Sequence, residues 1–177
     1  MRADAVRNQE RIRDAARSQI IEHGSDVSMD QIAKAAGVAV GTLYRHYPTK
    51  TALVQAILGE FLETLISRGE AAAVEVAPGE AMGRIIGILA DFLEEAAKNS
   101  AIKEAANSLD AEYITPETAA RGRIPLEKLL RAAEADGDLR PGVTADDIYL
   151  LFTSAPSSMP KPARDRWLDI VSAGIRA

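Results

Sequence analysis

Apolar residues along this chain recur every three to four positions, and no stretch alternates apolar and polar residues as a half-buried strand would, so the pattern predicts an all-α fold. Over about residues 8 to 23, Ile12, Ala15, Ala16, Gln19 and Ile20 share one stripe, Arg11, Arg13 and Arg17 lie off it, and His23-Gly24 supplies the stop. Ser28, followed three positions later by Gln31, is the signature of a capping box and predicts a short helix that reaches Ala36 and ends at Gly37. A second short helix follows over about 40 to 47. Pro48 breaks the pattern, and Thr49 is placed to cap a long helix from Lys50 to about residue 74, roughly 35 Å at about 1.5 Å per residue.

Beyond the break at Ala77-Pro78-Gly79, Met82, Ile85, Ile86, Leu89, Phe92, Leu93 and Ala96 form an apolar face wide enough for a centrally buried helix. Gly79, Gly83 and Gly87, four residues apart, favour close approach of another helix, with room for a ligand as the alternative. A short helix is predicted over about 102 to 109. Thr115-Pro116-Glu117 then opens one that Pro125 is expected to interrupt before Asp136-Gly137 ends it. Two last helices are predicted over about 144 to 155 and 161 to 176. The final one aligns Trp167, Ile170, Val171, Gly174 and Ile175 on a stripe near the chain's end, where an unsupported helix frays. Packing against Ile148, Leu151, Phe152 and Ala155 uses part of that stripe. A two-fold copy would bury the rest, so a homodimer is expected, with Ile148, Leu151, Phe152, Trp167, Ile170, Val171 and Gly174 at its interface.

Composition narrows the chemistry. The chain has 177 residues, 47% of them hydrophobic, enough for a substantial core, and it contains no cysteine. Disulfides and cysteine-ligated metal centres are therefore excluded, and a reducing cytoplasm is the natural setting. The charged start and the lack of any apolar run near the roughly 18 residues of a membrane span point to a soluble protein with no membrane partner. The net charge is −5 but unevenly spread: residues 1 to 60 hold eight Lys/Arg against seven Asp/Glu, a net +1, leaving −6 for residues 61 to 177. A polyanion would meet the N-terminal third. Catalysis is not expected. The neighbouring carboxylates Glu94-Glu95 and Asp146-Asp147 would diverge by about 100° on a helix, and no nucleophile triad, phosphate loop or metal-ligand cluster is visible. No cofactor is called for.

The positive chemistry lies between Met29 and Pro48. Two short helices cross there at a small residue, Ala33, and are joined at Gly37, where the backbone is free to take positive φ. Ile32, Ala36, Val38 and Leu43 fall at the spacing that buries the inner faces, leaving Thr42, Tyr44, Arg45 and His46 to face outward, as in a helix-turn-helix that presents its second helix to a DNA major groove.

The run Gly37-Val38-Ala39-Val40-Gly41-Thr42-Leu43-Tyr44-Arg45-His46-Tyr47-Pro48-Thr49-Lys50 resembles the DNA-binding signature of the TetR family of bacterial regulators. The resemblance covers about residues 8 to 60; beyond it only the helical layout is similar. It implies an N-terminal three-helix DNA-binding domain over 6-60 and a C-terminal all-helical effector-binding and dimerisation domain over 61-177. It further implies that Tyr44 and Lys50 contact phosphates, with His46 or Tyr47 assisting, while Val40, Gly41, Thr42 and Arg45 lie nearest the bases. Ser28, at the head of the supporting helix, is counted with them, and the N-terminal arginines are expected to add phosphate contacts. Two positions depart from the family's pattern. Ala39 stands where a serine or threonine cap is common, and Asp30 stands where some relatives carry a cation or hydroxyl.

The implied function is a homodimeric transcriptional repressor on a roughly palindromic operator of double-stranded DNA, released by a hydrophobic or amphipathic small-molecule effector of unknown identity. Phe61, Met82, Leu89, Phe92, Tyr113 and Phe152 are the expected lining of the effector pocket. The competing reading is a small-molecule carrier or interaction module whose helix-turn-helix is vestigial.

Overall fold

The computed structural model describes residues 2–177, with side chains from Val6 onward. Its described residues form α1 (Arg2–His23), a 3-10 turn (Gly24–Asp26), α2 (Met29–Ala36), α3 (Val40–His46), α4 (Lys50–Ala72), α5 (Ala81–Lys98), α6 (Ser100–Ser108), α7 (Pro116–Ala135), α8 (Ala145–Ser154) and α9 (Lys161–Ile175). The all-α expectation holds, and the only extended pairing among the described residues is an isolated antiparallel bridge between Leu139 and Arg176. α1 begins earlier than its expected start near residue 8, because Ala3, Ala5 and Arg7 are good helix formers that extend a helix already nucleated by its packed half.

The chain divides into two compact units. The first comprises residues up to Phe61 together with Asn99–Tyr113. Ile12, Ala16 and Ile20 of α1, Ile32 of α2, Leu43 of α3 and Leu53 and Ile57 of α4 are all buried there. This unit differs from the expected 6–60 domain by taking in α6, which packs on α1 and on the 3-10 turn through an apolar face that includes Ile102, Ala105 and Ala106.

The second unit comprises Leu62–Lys98 and Ile114–Ala177. Ala81, Met82, Ile85 and Leu89 of α5 form one core with Leu126, Leu129, Leu130 and Ala133 of α7, joined by Leu139, Ala145, Ile148 and Ile175. Two expectations fail here. Pro125 does not interrupt α7, which runs through it. Its ring is buried beside Gly69, where an added Cβ would stand 3.5 Å from the proline Cγ, so packing against α4 offsets part of the cost of the missing helical N–H. Gly83 and Gly87 do not mark close helix approach either: a Cβ at each would meet no heavy atom within 4 Å, because they face away from the helices that pack on α5.

Arg84 closes the C-terminal end of α4. Its guanidinium donates to the carbonyls of Ala72 (2.7 Å), Val74 (2.9 Å) and Glu75 (3.3 Å) and to the carboxylate of Glu80 (2.6 Å). Ala72 offers an orphan acceptor of the helix end, Val74 and Glu75 lie in the turn that follows, and a cation there also suits the negative end of the helix dipole. Arg84→Ala is expected to destabilise the fold by about 2 kcal/mol, read as a lower urea midpoint at unchanged slope. The end of α9 is tied down rather than frayed: Arg140 N donates to Ile175 O at 2.9 Å, Ala177 N to Asp138 O at 3.0 Å, and Ile175 enters the core.

Candidate nucleic-acid interface

In the first unit, the supporting helix α2 is held at both ends by local chemistry. At its start the Ser28 hydroxyl accepts from the Gln31 amide (3.2 Å) while the Ser28 amide donates to Gln31 Oε1 (2.7 Å). At its end Gly37 takes φ 63°, and Val38 N donates back to Ala33 O at 3.0 Å, closing a left-handed C-cap that turns the chain sharply into α3. Arg11 of α1 braces this turn by donating to Gly37 O at 3.3 Å. Ala33 is fully buried, as a close helix crossing demands.

α3 carries the outward chemistry. Leu43 is completely buried and fixes which face points in. Val40, Gly41, Tyr44 and Arg45 are exposed, with Tyr44 at 44%, while Thr42 and His46 are half-buried. One exposed face thus offers a phenol, a guanidinium, an aliphatic side chain and a glycine that permits close approach. Ser28 is exposed, although its hydroxyl oxygen already serves the cap. Ala39 begins α3 without a side-chain cap, as its residue type dictates.

Four expected DNA contacts stand differently. Tyr47 is only 6% exposed, and its hydroxyl accepts a 3.0 Å hydrogen bond from Arg13, so it is a scaffold residue rather than a surface contact. Arg13 and Arg17 are engaged internally as well: Arg13 lies 2.6 Å and Arg17 3.2 Å from opposite oxygens of the Glu60 carboxylate. Lys50 is half-buried and donates to the Ser25 carbonyl of the 3-10 turn, so its ammonium is already oriented. Glu60 was not singled out by spacing, because nothing local to α4 shows that its carboxylate meets two arginines of α1.

The second unit carries its own exposed apolar surface. Ile148 is fully buried in the core and is therefore not an interface residue; Leu151 and Phe152 pack partly on that core, and Phe152 meets the Phe92 ring at a 4.7 Å centroid separation. Trp167 and Val171 are half-buried, Gly174 is exposed, and Ile170 is 57% exposed. The outer side of α8 adds Tyr149 at 46% and Leu150 at 63%, which the inward stripe of the same helix had hidden from sequence reasoning.

The six expected effector residues do not gather in one unit. Phe61 and Tyr113 belong to the first, whereas Met82, Leu89, Phe92 and Phe152 belong to the second, with Met82 and Leu89 packed solidly in its core. The second unit instead shows an open depression of about 450 Å³ beside Glu63, Thr64, Ser67, Arg68 and Ala71. Arg68 there lies 3.3 Å from Asp91 and 3.8 Å from Glu95. The acidic pairs also have structural partners: Glu94 meets Arg164 and Lys161, while Thr144 donates to Asp147 through hydroxyl and amide and holds that carboxyl below its usual range. Among the described residues, no group of three or more metal-ligating side chains is placed to hold an ion, and no helix is long and apolar enough to cross a membrane.

A family model described as "Bacterial regulatory proteins, tetR family" matches residues 12–57, from within α1 to within α4. Two HTH-type transcriptional regulators of Staphylococcus aureus are similar. The one from strain bovine RF122 / ET3-1 is 39% identical over 69 residues, 38% of this chain and 37% of the relative. The one from strain MRSA252 is 36% identical over 96 residues, 52% of this chain and 50% of the relative. The matched stretch thus spans half or less of these relatives' length. Among solved structures, a TetR transcription regulatory protein from Mycobacterium vanbaalenii superimposes with a TM-score of 0.71 at 29% identity, covering 99% of both chains. A TetR transcriptional regulator from Streptomyces coelicolor does so with a TM-score of 0.68 at 26% identity, covering 95% of this chain and 98% of that one.

Proposed function

Because the chain belongs to the TetR family of bacterial regulatory proteins, we propose that it is a DNA-binding transcriptional regulator that acts as a homodimeric repressor. The observation that carries the reading is the α2–turn–α3 unit, with its left-handed Gly37 and its exposed Tyr44 and Arg45, inside the residues the family model matches. In this reading α3 enters the major groove. Tyr44, Ser28 and His46 meet phosphates, aided by Lys50, and Val40, Gly41, Thr42 and Arg45 face the base edges. A guanidinium suits the paired acceptors of guanine, and an aliphatic side chain such as Val40 suits a thymine methyl.

The dimer surface proposed is the outer side of α8 and α9, around Tyr149, Leu150, Trp167 and Ile170, with Val171 and Gly174 beside them. Such a surface would let two copies present their α3 helices to successive major grooves about 34–36 Å apart, which requires a roughly palindromic operator. Effector control is proposed to act through the second unit, where a hydrophobic or amphipathic small molecule would favour a state with lower operator affinity.

The test is enrichment of duplexes from a random-sequence library, followed by anisotropy titrations at several salt concentrations. Arg45→Ala is expected to weaken the enriched duplex by about 1–3 kcal/mol, roughly 5- to 150-fold, and to relax preference at one base pair per half-site. Failure to enrich any sequence over random DNA would sink the DNA-reading claim. Reporter output in a deletion strain separates repression from activation.

A further inference from the structure

We infer that Glu60 is a positioning residue for the recognition helix α3, acting through Arg13 on the hydroxyl of Tyr47; this rests on α3 being the DNA-reading helix. α3 is only seven residues long and starts at Ala39 without a side-chain cap. A helix that short has little stability of its own, so tertiary contacts must set its direction. Leu43 anchors its middle. Tyr47 anchors its end: the residue leaves the helix in an extended conformation, at φ −134° and ψ 94°, with its ring buried.

A buried ring alone resists displacement but does not define rotation about the helix axis, whereas a directed hydrogen bond at the ring's tip does. Arg13 supplies it at 3.0 Å, and Arg13 is itself oriented by Glu60 Oε1 at 2.6 Å. The other oxygen of Glu60 holds Arg17, one turn further along α1, at 3.2 Å. One carboxylate of α4 therefore spans two guanidinium groups of α1 and, through one of them, reaches the end of α3. The Arg13 side chain is only 17% exposed, and the Arg17 Nε is buried without a hydrogen-bond partner, so removing the carboxylate leaves Arg13 held only by Tyr47 and Arg17 only by Asp14 at 3.6 Å, two partly desolvated cations without the anion between them. Tyr47 thus serves DNA reading by holding α3 in register rather than by touching phosphate.

Tyr47→Phe and Glu60→Gln, made in the full chain, test this. Tyr47→Phe removes one hydroxyl and keeps the ring, so it remains informative if Glu60→Gln fails to fold by circular dichroism. In the free protein, hydrogen exchange of the 40–47 segment is expected to quicken about tenfold in Tyr47→Phe while α8 amides exchange as in the wild type. With a duplex enriched by the wild-type protein, the affinity ratio over a random duplex of equal length is expected to fall about tenfold. The salt slope should stay unchanged, since no phosphate ion pair is lost. A variant that merely unfolds a fraction of the molecules lowers both affinities alike and leaves that ratio in place. Wild-type exchange of the 40–47 segment in Tyr47→Phe overturns the inference. So does a salt slope that drops by about 0.9 in Arg13→Gln, because Arg13 would then touch a phosphate itself. If the wild-type protein enriches no duplex, the DNA-reading proposal fails, and exchange of the 40–47 segment, expected to quicken in Glu60→Gln as in Tyr47→Phe, still decides whether Glu60 and Tyr47 fix α3.

Discussion

Leu43→Ala is expected to destabilise the first unit by about 3 kcal/mol, within the range of about 2–5 kcal/mol for a leucine removed from a tight interior. Leu43 has no exposed surface, and it is the only buried residue within α3 itself, so the helix has no second internal anchor to share the loss. Both the transfer of its side chain and the cavity left behind count against the variant. The functional loss should exceed what stability alone predicts. In the proposed reading, an α3 that no longer seats presents Thr42 and Arg45 to a groove at variable depth, and base contacts tolerate little displacement. Urea titration should show a lower midpoint at unchanged slope, and binding to an enriched duplex should be lost at temperatures where the circular dichroism is still that of a folded protein. A shift under about 1 kcal/mol would mean that α3 is held elsewhere.

Leu150→Lys should leave the protein monomeric at micromolar concentration, where the proposed two-fold dimer would otherwise form. Leu150 is 63% exposed in the single chain and sits beside Tyr149 on α8, so a charge there costs the isolated protomer almost nothing. In the proposed two-fold interface the same ammonium would be buried, and by symmetry twice, without a matching anion. An unpaired buried charge costs several kcal/mol, so the dimer dissociation constant should rise by at least about 100-fold. Sedimentation equilibrium gives the result directly, and the thermal midpoint of the monomer serves as the control. An unchanged dissociation constant would move the interface away from α8. Affinity for a palindromic duplex should fall together with dimerisation, while affinity for an isolated half-site should not.

Several local features were legible from residue order. Ser28 with Gln31, and Gly37 after Ala36, set the ends of α2 through bonds that span three to five residues, so the residue order carries their signature. Leu43 was assigned inward, and Tyr44 and Arg45 outward, from helical period alone. Tyr47 escaped this reasoning. It lies at the end of α3, where the helical period stops applying, and its partner Arg13 is 34 positions away. On α8 the period located a stripe, but it could not say that Ile148 turns into the core while Tyr149 and Leu150 face out, because both sides of that helix carry apolar residues.

The order of residues by itself determined the all-α class, the caps and breaks of most helices, and the outward chemistry of α3, since each depends on neighbours within about one helical turn. Tertiary structure alone decided that α6 joins the first unit, that α7 runs through Pro125, that Gly83 and Gly87 face open space, and that Arg13 and Arg17 both pair with Glu60. A charged or small side chain has the same local signature whether it meets solvent, DNA or a distant helix. Only the approach of segments far apart in the chain selects among those partners.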